Sequence, residues 1–260
     1  MLRYALGGLI VGYLLLCGLL YAVQERLIFH PHAFAAELPF GFGEERSVTT
    51  ADGKELSTVW IDRPGDEVLI YFHGNVGNNK RGYAQMKRLR ELDRDLVLVD
   101  YRGFGKSQGQ PESDEQLLAD MQAVYDSVRV SYPESSIHLL GYSLGTGMAA
   151  YLAAENSPAS LTMLAPYTSL TDMKNIGFWW VPDALLKYRL DTRSRLEQIR
   201  CPVRVYHSRA DELIPFEMGS SLVERARALG RDWTLHELKA ASHRQTVLQL
   251  RPEWLGLSTN

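Results

Sequence analysis

A series of short, mostly apolar runs, spaced by stretches of helix length, constrains this chain more than any other feature. The runs are Val68–Phe72, Leu96–Val99, Ile137–Leu140, Leu161–Leu164, Val203–Tyr206 and Trp233–Leu238. A strand wet on one face alternates polar and apolar residues, whereas one that stays apolar belongs in a sheet covered on both faces. Residues 78–92, 113–131, 144–156 and 215–229 read as helices between the runs, the second opening with Ser113 ahead of Glu115 and Gln116 in a near-capping pattern. Strand and helix alternate, which predicts an α/β architecture with a mostly parallel sheet. Residues 46–50 and 55–61, joined by Asp52-Gly53, read as an opening antiparallel hairpin. The chain shows no internal repeat or low-complexity tract.

The N-terminus obeys a different logic. Tyr4 to Val23 carries no charge and is filled by Leu, Ile, Val, Gly, Ala and Tyr. Twenty helical residues span roughly 30 Å, the thickness of a bilayer's hydrocarbon core. A cleaved signal peptide is the alternative. It would have a shorter apolar core and small residues at its cleavage site, where Leu20 stands two places before Ala22. Leu14-Leu15-Leu16-Cys17 is a poor lipoprotein site for the same reason. Residues 1–24 are therefore read as a membrane anchor, 25–44 as a connector, and 45–260 as the folded domain. Arg3 and the α-amino group on the N-terminal side, against Arg26 on the other, set the expectation of a single-pass protein with its domain on the non-cytoplasmic side. The anchor is expected to act as a tether, so that removing residues 1–25 leaves activity on soluble substrates. Phe29, Phe34, Phe40 and Phe42 in the connector are expected on the domain or at the interface.

Gly141-Tyr142-Ser143-Leu144-Gly145 fits G-x-S-x-G, the strand–turn–helix elbow that exposes a nucleophilic serine. Its context supplies the parts: a strand ending at Leu140, glycines where side chains would collide, and an Ala-rich helix from Thr146. Ser143 then stands at a helix N-terminus, where backbone N–H groups favour developing negative charge. A serine hydroxyl needs a base to take its proton and an acid to hold that base. Beyond the elbow, His243 lies in the loop after the last strand, whereas His207 and His236 fall within strands. Asp211 comes after the strand ending at Tyr206, with Glu212 as the neighbouring alternative; Asp172, Asp183 and Asp191 are read as solvated or capping residues. The oxyanion hole would use the N–H groups of Leu144 and Asn75, the latter after the strand ending at Phe72. Residues 73–79 lack the Lys-Ser/Thr ending of a phosphate-binding loop.

The stretch 166–200 interrupts the strand–helix alternation. Trp179 and Trp180 within it are candidate substrate-binding residues of a lid, or simply core aromatics beneath it; helical-looking runs continue to Leu190 and from Thr192 to Ile199. The 260 residues suffice for one large domain, and 45% hydrophobic with 23% charged residues is an ordinary globular balance. A net charge of −3 gives no reason to expect nucleic acid. Cys17 and Cys201 form no disulfide framework, and His30-Pro31-His32 lacks further ligands at metal spacing.

Taken together, these residues resemble the α/β-hydrolase superfamily over roughly 45–255. His73-Gly74-Asn75, Asp100-Tyr101-Arg102-Gly103-Phe104-Gly105 and Gly-Tyr-Ser-Leu-Gly are similar to one branch of membrane-anchored serine hydrolases, often described as serine peptidases, with protein depalmitoylases among its relatives. Ser208 after His207, and Ser242 before His243, stand where that branch often has glycine. The resemblance implies the α/β-hydrolase fold, a mostly parallel sheet with helices on both faces, beside an N-terminal transmembrane helix. It also implies hydrolysis of carboxylic esters or thioesters, on acyl substrates near a membrane, through a Ser143–His243–Asp211 triad without metal or organic cofactor. A membrane-anchored serine peptidase and an inactive interaction protein are the alternatives; no obligate protein partner is implied.

Overall fold

A computed structural model describes residues 2–35, 38–86 and 92–256. The expected hairpin forms β1 (Glu44–Thr49) and β2 (Glu55–Ile61), and each apolar run becomes a strand: β3 (Val68–Phe72), β4 (Asp95–Val99), β5 (Ile137–Tyr142), β6 (Ser160–Leu164), β7 (Val203–Ser208) and β8 (Trp233–Leu238). They form one eight-stranded sheet in the order β1-β2-β4-β3-β5-β6-β7-β8. β1 and β2 pair antiparallel, as do β2 and β4, and every other pair is parallel. The strands that read as uninterrupted apolar runs are the central ones: every residue of β3, β4, β5 and β6 is buried, while β1 at the edge is largely exposed.

The helices are α1 (Leu2–Ile28), α2 (Asn79–Gln85), α3 (Asp114–Arg129), α4 (Gly145–Glu155), α5 (Leu170–Phe178), α6 (Phe216–Ala228) and α7 (His243–Leu248). Ser113 caps α3, its side chain accepting from the Gln116 N–H. Of the expected helix 78–92, Asn79–Gln85 is helical, and residues 87–91 lie outside the described residues. The insertion differs from expectation. Its helix, α5, comes before the tryptophans, capped by Ser169 accepting from the Asp172 N–H, and the two helical-looking runs amount to single 3-10 turns. After Pro182 the chain must carry Tyr188 and Leu190 into the core, both fully buried, which a continuous surface helix could not do.

α1 is a candidate membrane span by length and composition over Arg3–Ile28. It runs four residues past the expected anchor, and the phenylalanines that follow pack on the domain, one of the two places expected for them. Phe29 is buried against the Tyr188 ring at 4.8 Å, Phe34 and Phe40 stack at 4.9 Å, and Phe42 stacks on Tyr83 at 3.9 Å. Ala33 forms a parallel bridge to Gly105.

Candidate active site

The end of β5 turns sharply into α4. Ser143 sits at the turn with φ +51°, a conformation side-chain-bearing residues rarely hold unless the surroundings force it. Here they do. The Ser143 N–H donates to the Leu164 carbonyl and its own carbonyl accepts from the Thr146 N–H, both at 2.9 Å. The flanking glycines are dictated by space: a Cβ on Gly145 would lie 2.1 Å from the Phe72 carbonyl oxygen, and one on Gly141 2.7 Å from that of Gly145.

Three side chains from separate loops meet at this turn. His243 Nε2 lies 2.9 Å from Ser143 Oγ, and His243 Nδ1 lies 2.8 Å from Asp211 Oδ2. Asp211 is held in turn, its Oδ1 accepting from the Leu213 and Ile214 N–H groups at 2.9 Å. Burial works against charge on Asp211, but hydrogen bonds from His207, His243 and the Ile214 N–H prevail and hold its carboxyl well below the usual range. His243 opens α7, where the Ser242 N–H donates to Gln245 Oε1. Its ring packs against Tyr142, and the Tyr142 hydroxyl donates to the His243 carbonyl at 3.1 Å.

Glu212, the alternative acid, does something else: its carboxylate accepts from the His243 backbone N–H at 2.9 Å. His236 stacks on Tyr206 within β8. His207 has a part that strand reading missed. Fully buried in β7, it brings Nε2 to 3.4 Å from Asp211 Oδ2 and 3.1 Å from the Ile214 carbonyl, so Asp211 faces two imidazoles. The signal was its spacing, four residues before Asp211 across a tight turn. Asp172, Asp183 and Asp191 serve the insertion, with Asp172 and Asp183 paired to Arg193 and Lys174 and Asp191 accepting from the Ser194 N–H.

Ser143, Leu144 and Asn75 all border one cavity of about 300 Å³, at the small end of ligand pockets. Among the described residues, the Leu144 and Asn75 N–H groups have no intramolecular acceptor. The remaining wall is mainly apolar, with Gln24, Tyr21, Tyr167 and Lys174 as its polar side chains. Leu170, Met173, Phe178 and Val181 contribute from the insertion, with Leu213 and Ile214 beside Asp211. Neither tryptophan lines it. Trp179 is 76% exposed, and Trp180 faces α1, its carbonyl accepting from the Tyr13 hydroxyl at 3.0 Å. Phe178, the residue before them at the end of α5, lines the cavity instead. α1 itself completes the cavity through Leu20, Tyr21, Gln24, Leu27 and Ile28, so it is a wall of the cavity.

The parallel strands from β3 onward and the strained serine after β5 are features of a known fold. The family described as alpha/beta hydrolase fold matches residues 67–217, more than half of the chain. The chain belongs to the α/β-hydrolase family. This α/β-hydrolase is 29% identical over 217 residues to the uncharacterized protein Rv2307c of Mycobacterium tuberculosis, covering 80% of this chain and 76% of that one. It is 27% identical over 210 residues to the lysophosphatidylserine lipase ABHD12 of Danio rerio, covering 73% of this chain and 54% of the lipase, so it spans about half of that relative. Among solved structures, the esterase Pf2001 of Pyrococcus furiosus superposes with a TM-score of 0.67 over 88% of this chain and 94% of its own, at 21% identity, a likeness of fold alone.

Proposed function

We propose that this α/β-hydrolase is a serine hydrolase cleaving carboxylic esters or thioesters of acyl chains at a membrane. One observation carries the reading: the hydrogen-bonded line Asp211–His243–Ser143 ends at the mouth of an apolar cavity. Ser143 Oγ attacks the acyl carbonyl carbon while His243 Nε2 takes its proton. The carbonyl oxygen becomes an oxyanion held by the Leu144 and Asn75 N–H groups, each such donor being worth about 10²–10³ in rate. Collapse expels the alcohol or thiol, which leaves with the proton from His243. Water, deprotonated by the same imidazole, then attacks the acyl-enzyme and releases the carboxylate and free Ser143. Asp211 keeps the imidazole in the tautomer that presents a lone pair at Nε2 and stabilises the imidazolium.

The ester reading is supported by the activity for which the lipase relative is named and by a wall offering a peptide backbone few polar partners. α1 is read as a single membrane span, with residues 29–260 on the non-cytoplasmic side. The test is a comparison of p-nitrophenyl esters, acyl thioesters and peptide amides with the full chain in detergent micelles. kcat/KM should rise from acetyl to medium-chain esters by up to about fourfold per added methylene that finds the cavity wall. Faster cleavage of peptides than of any ester would instead establish a peptidase.

A further inference from the structure

α1 does not leave the domain where the apolar run ends. Tyr13, Cys17, Leu20, Gln24 and Ile28 recur every three or four residues and so share one face. That face is docked. Cys17 and Gln24 are buried, the Gln24 amide donates to the Leu185 carbonyl at 3.1 Å, and its oxygen accepts from the Lys187 N–H at 2.8 Å. Below it, Glu25 pairs with Lys187 at 2.7 Å, and the Ile28 carbonyl accepts from the Asn75 side chain. The contact begins at Tyr13 and ends beyond Val23. At 1.5 Å per residue, Tyr13 to Val23 is about 15 Å, half of a bilayer's hydrocarbon thickness.

The insertion therefore lies at the depth of one leaflet whenever Tyr4–Val23 fills a bilayer. Its outer surface suits that depth, with Ile176, Phe178 and Trp179 exposed together at the end of α5. The cation Lys174, which borders the cavity, is paired with Asp183 at 2.7 Å and donates to the Val181 carbonyl, which lowers the cost of desolvating it. Between this surface and the docked face of α1 runs the cavity that reaches Ser143.

Building on the acyl-hydrolase reading above, we propose that α1 and the insertion form a leaflet-embedded portal, through which the acyl chain of a bilayer-resident ester passes sideways to Ser143. The membrane helix is then part of the substrate site, and Leu20, half-buried where α1 borders the cavity, sets the length of chain accepted. Two measurements on the full chain test this. In vesicles of phosphatidylcholine brominated on its acyl chains, tryptophan fluorescence should be quenched, and Trp179→Phe should remove most of that quenching. In micelles, Leu20→Trp should lower the decanoyl-to-butyryl ratio of kcat/KM about tenfold, the effect of blocking roughly two methylenes. Leu20→Ala should raise the ratio, and Leu9→Trp, exposed one turn before the docked stretch begins at Tyr13, should leave it unchanged. The opposite signs at Leu20 separate pocket length from damage to the fold. Absent quenching, or a ratio indifferent to both Leu20 variants in an enzyme that cleaves esters, would overturn the portal alone. Quenching without hydrolysis of any ester would overturn the acyl-hydrolase reading, and the portal with it.

Discussion

In the proposed reaction Ser143, His243 and Asp211 divide the chemistry, so that losing each should leave a different signature. His243→Ala removes the base and should lower turnover by several orders of magnitude; Asp211→Asn, which favours the wrong tautomer, should lower it by about 10⁴. Glu212→Gln exchanges a charged acceptor for a neutral one at the His243 N–H, and kcat/KM should fall only about tenfold. His236→Ala, on the far strand, should change it little. An ester assay of these variants distinguishes the assignments. The three side chains that meet at the turn were legible as candidates because each occupies a distinctive sequence context: a glycine-flanked serine, and an acid and a histidine just past strand ends. The contact of Glu212 was not, because it depends on how a turn folds back, and for His207 only its spacing from Asp211 hinted at the approach.

At the level of elements, the sheet was readable because continuous burial on two faces leaves an apolar run that nothing else requires. α5 and α7 were not read, since each is short and stabilised by capping and packing more than by a long apolar stripe. The elbow makes a prediction of its own. Gly145→Ala would set a methyl against the Phe72 backbone, which cannot yield without distorting β3, and should cost at least ~3 kcal/mol in a denaturation experiment. β5 makes another. His138 sits buried with Nδ1 2.7 Å from Ser160 Oγ, and burial, helped by Arg94, pushes its imidazole down to about 4. The unfolded chain, titrating near 6.5, takes up the proton first as pH falls. The stability this histidine contributes is therefore complete above that value and drains away towards pH 4. Melting temperature should drop over that interval, and drop less in His138→Gln.

For the whole molecule, the apolar run at the N-terminus was plain in the sequence, but its docking was not. A sequence window sees twenty apolar residues and cannot tell which of them face protein and which face lipid. The consequence is that the candidate membrane helix and the hydrolase domain share one structure. Gln24→Ala would leave the Leu185 carbonyl and the Lys187 N–H without their partner, costing about 1–3 kcal/mol, and should lower the melting temperature in micelles by several degrees. The Glu25–Lys187 pair, only partly shielded, should matter less. Every step proposed for this hydrolase still depends on one oxygen atom, Ser143 Oγ. The direct measurement is mass-spectrometric mapping of the fluorophosphonate adduct on the full chain at pH 7. A single adduct on Ser143 is expected, absent from Ser143→Ala and formed far more slowly in Asp211→Asn; an adduct on another residue, or undiminished labelling of Ser143→Ala, would contradict the assignment.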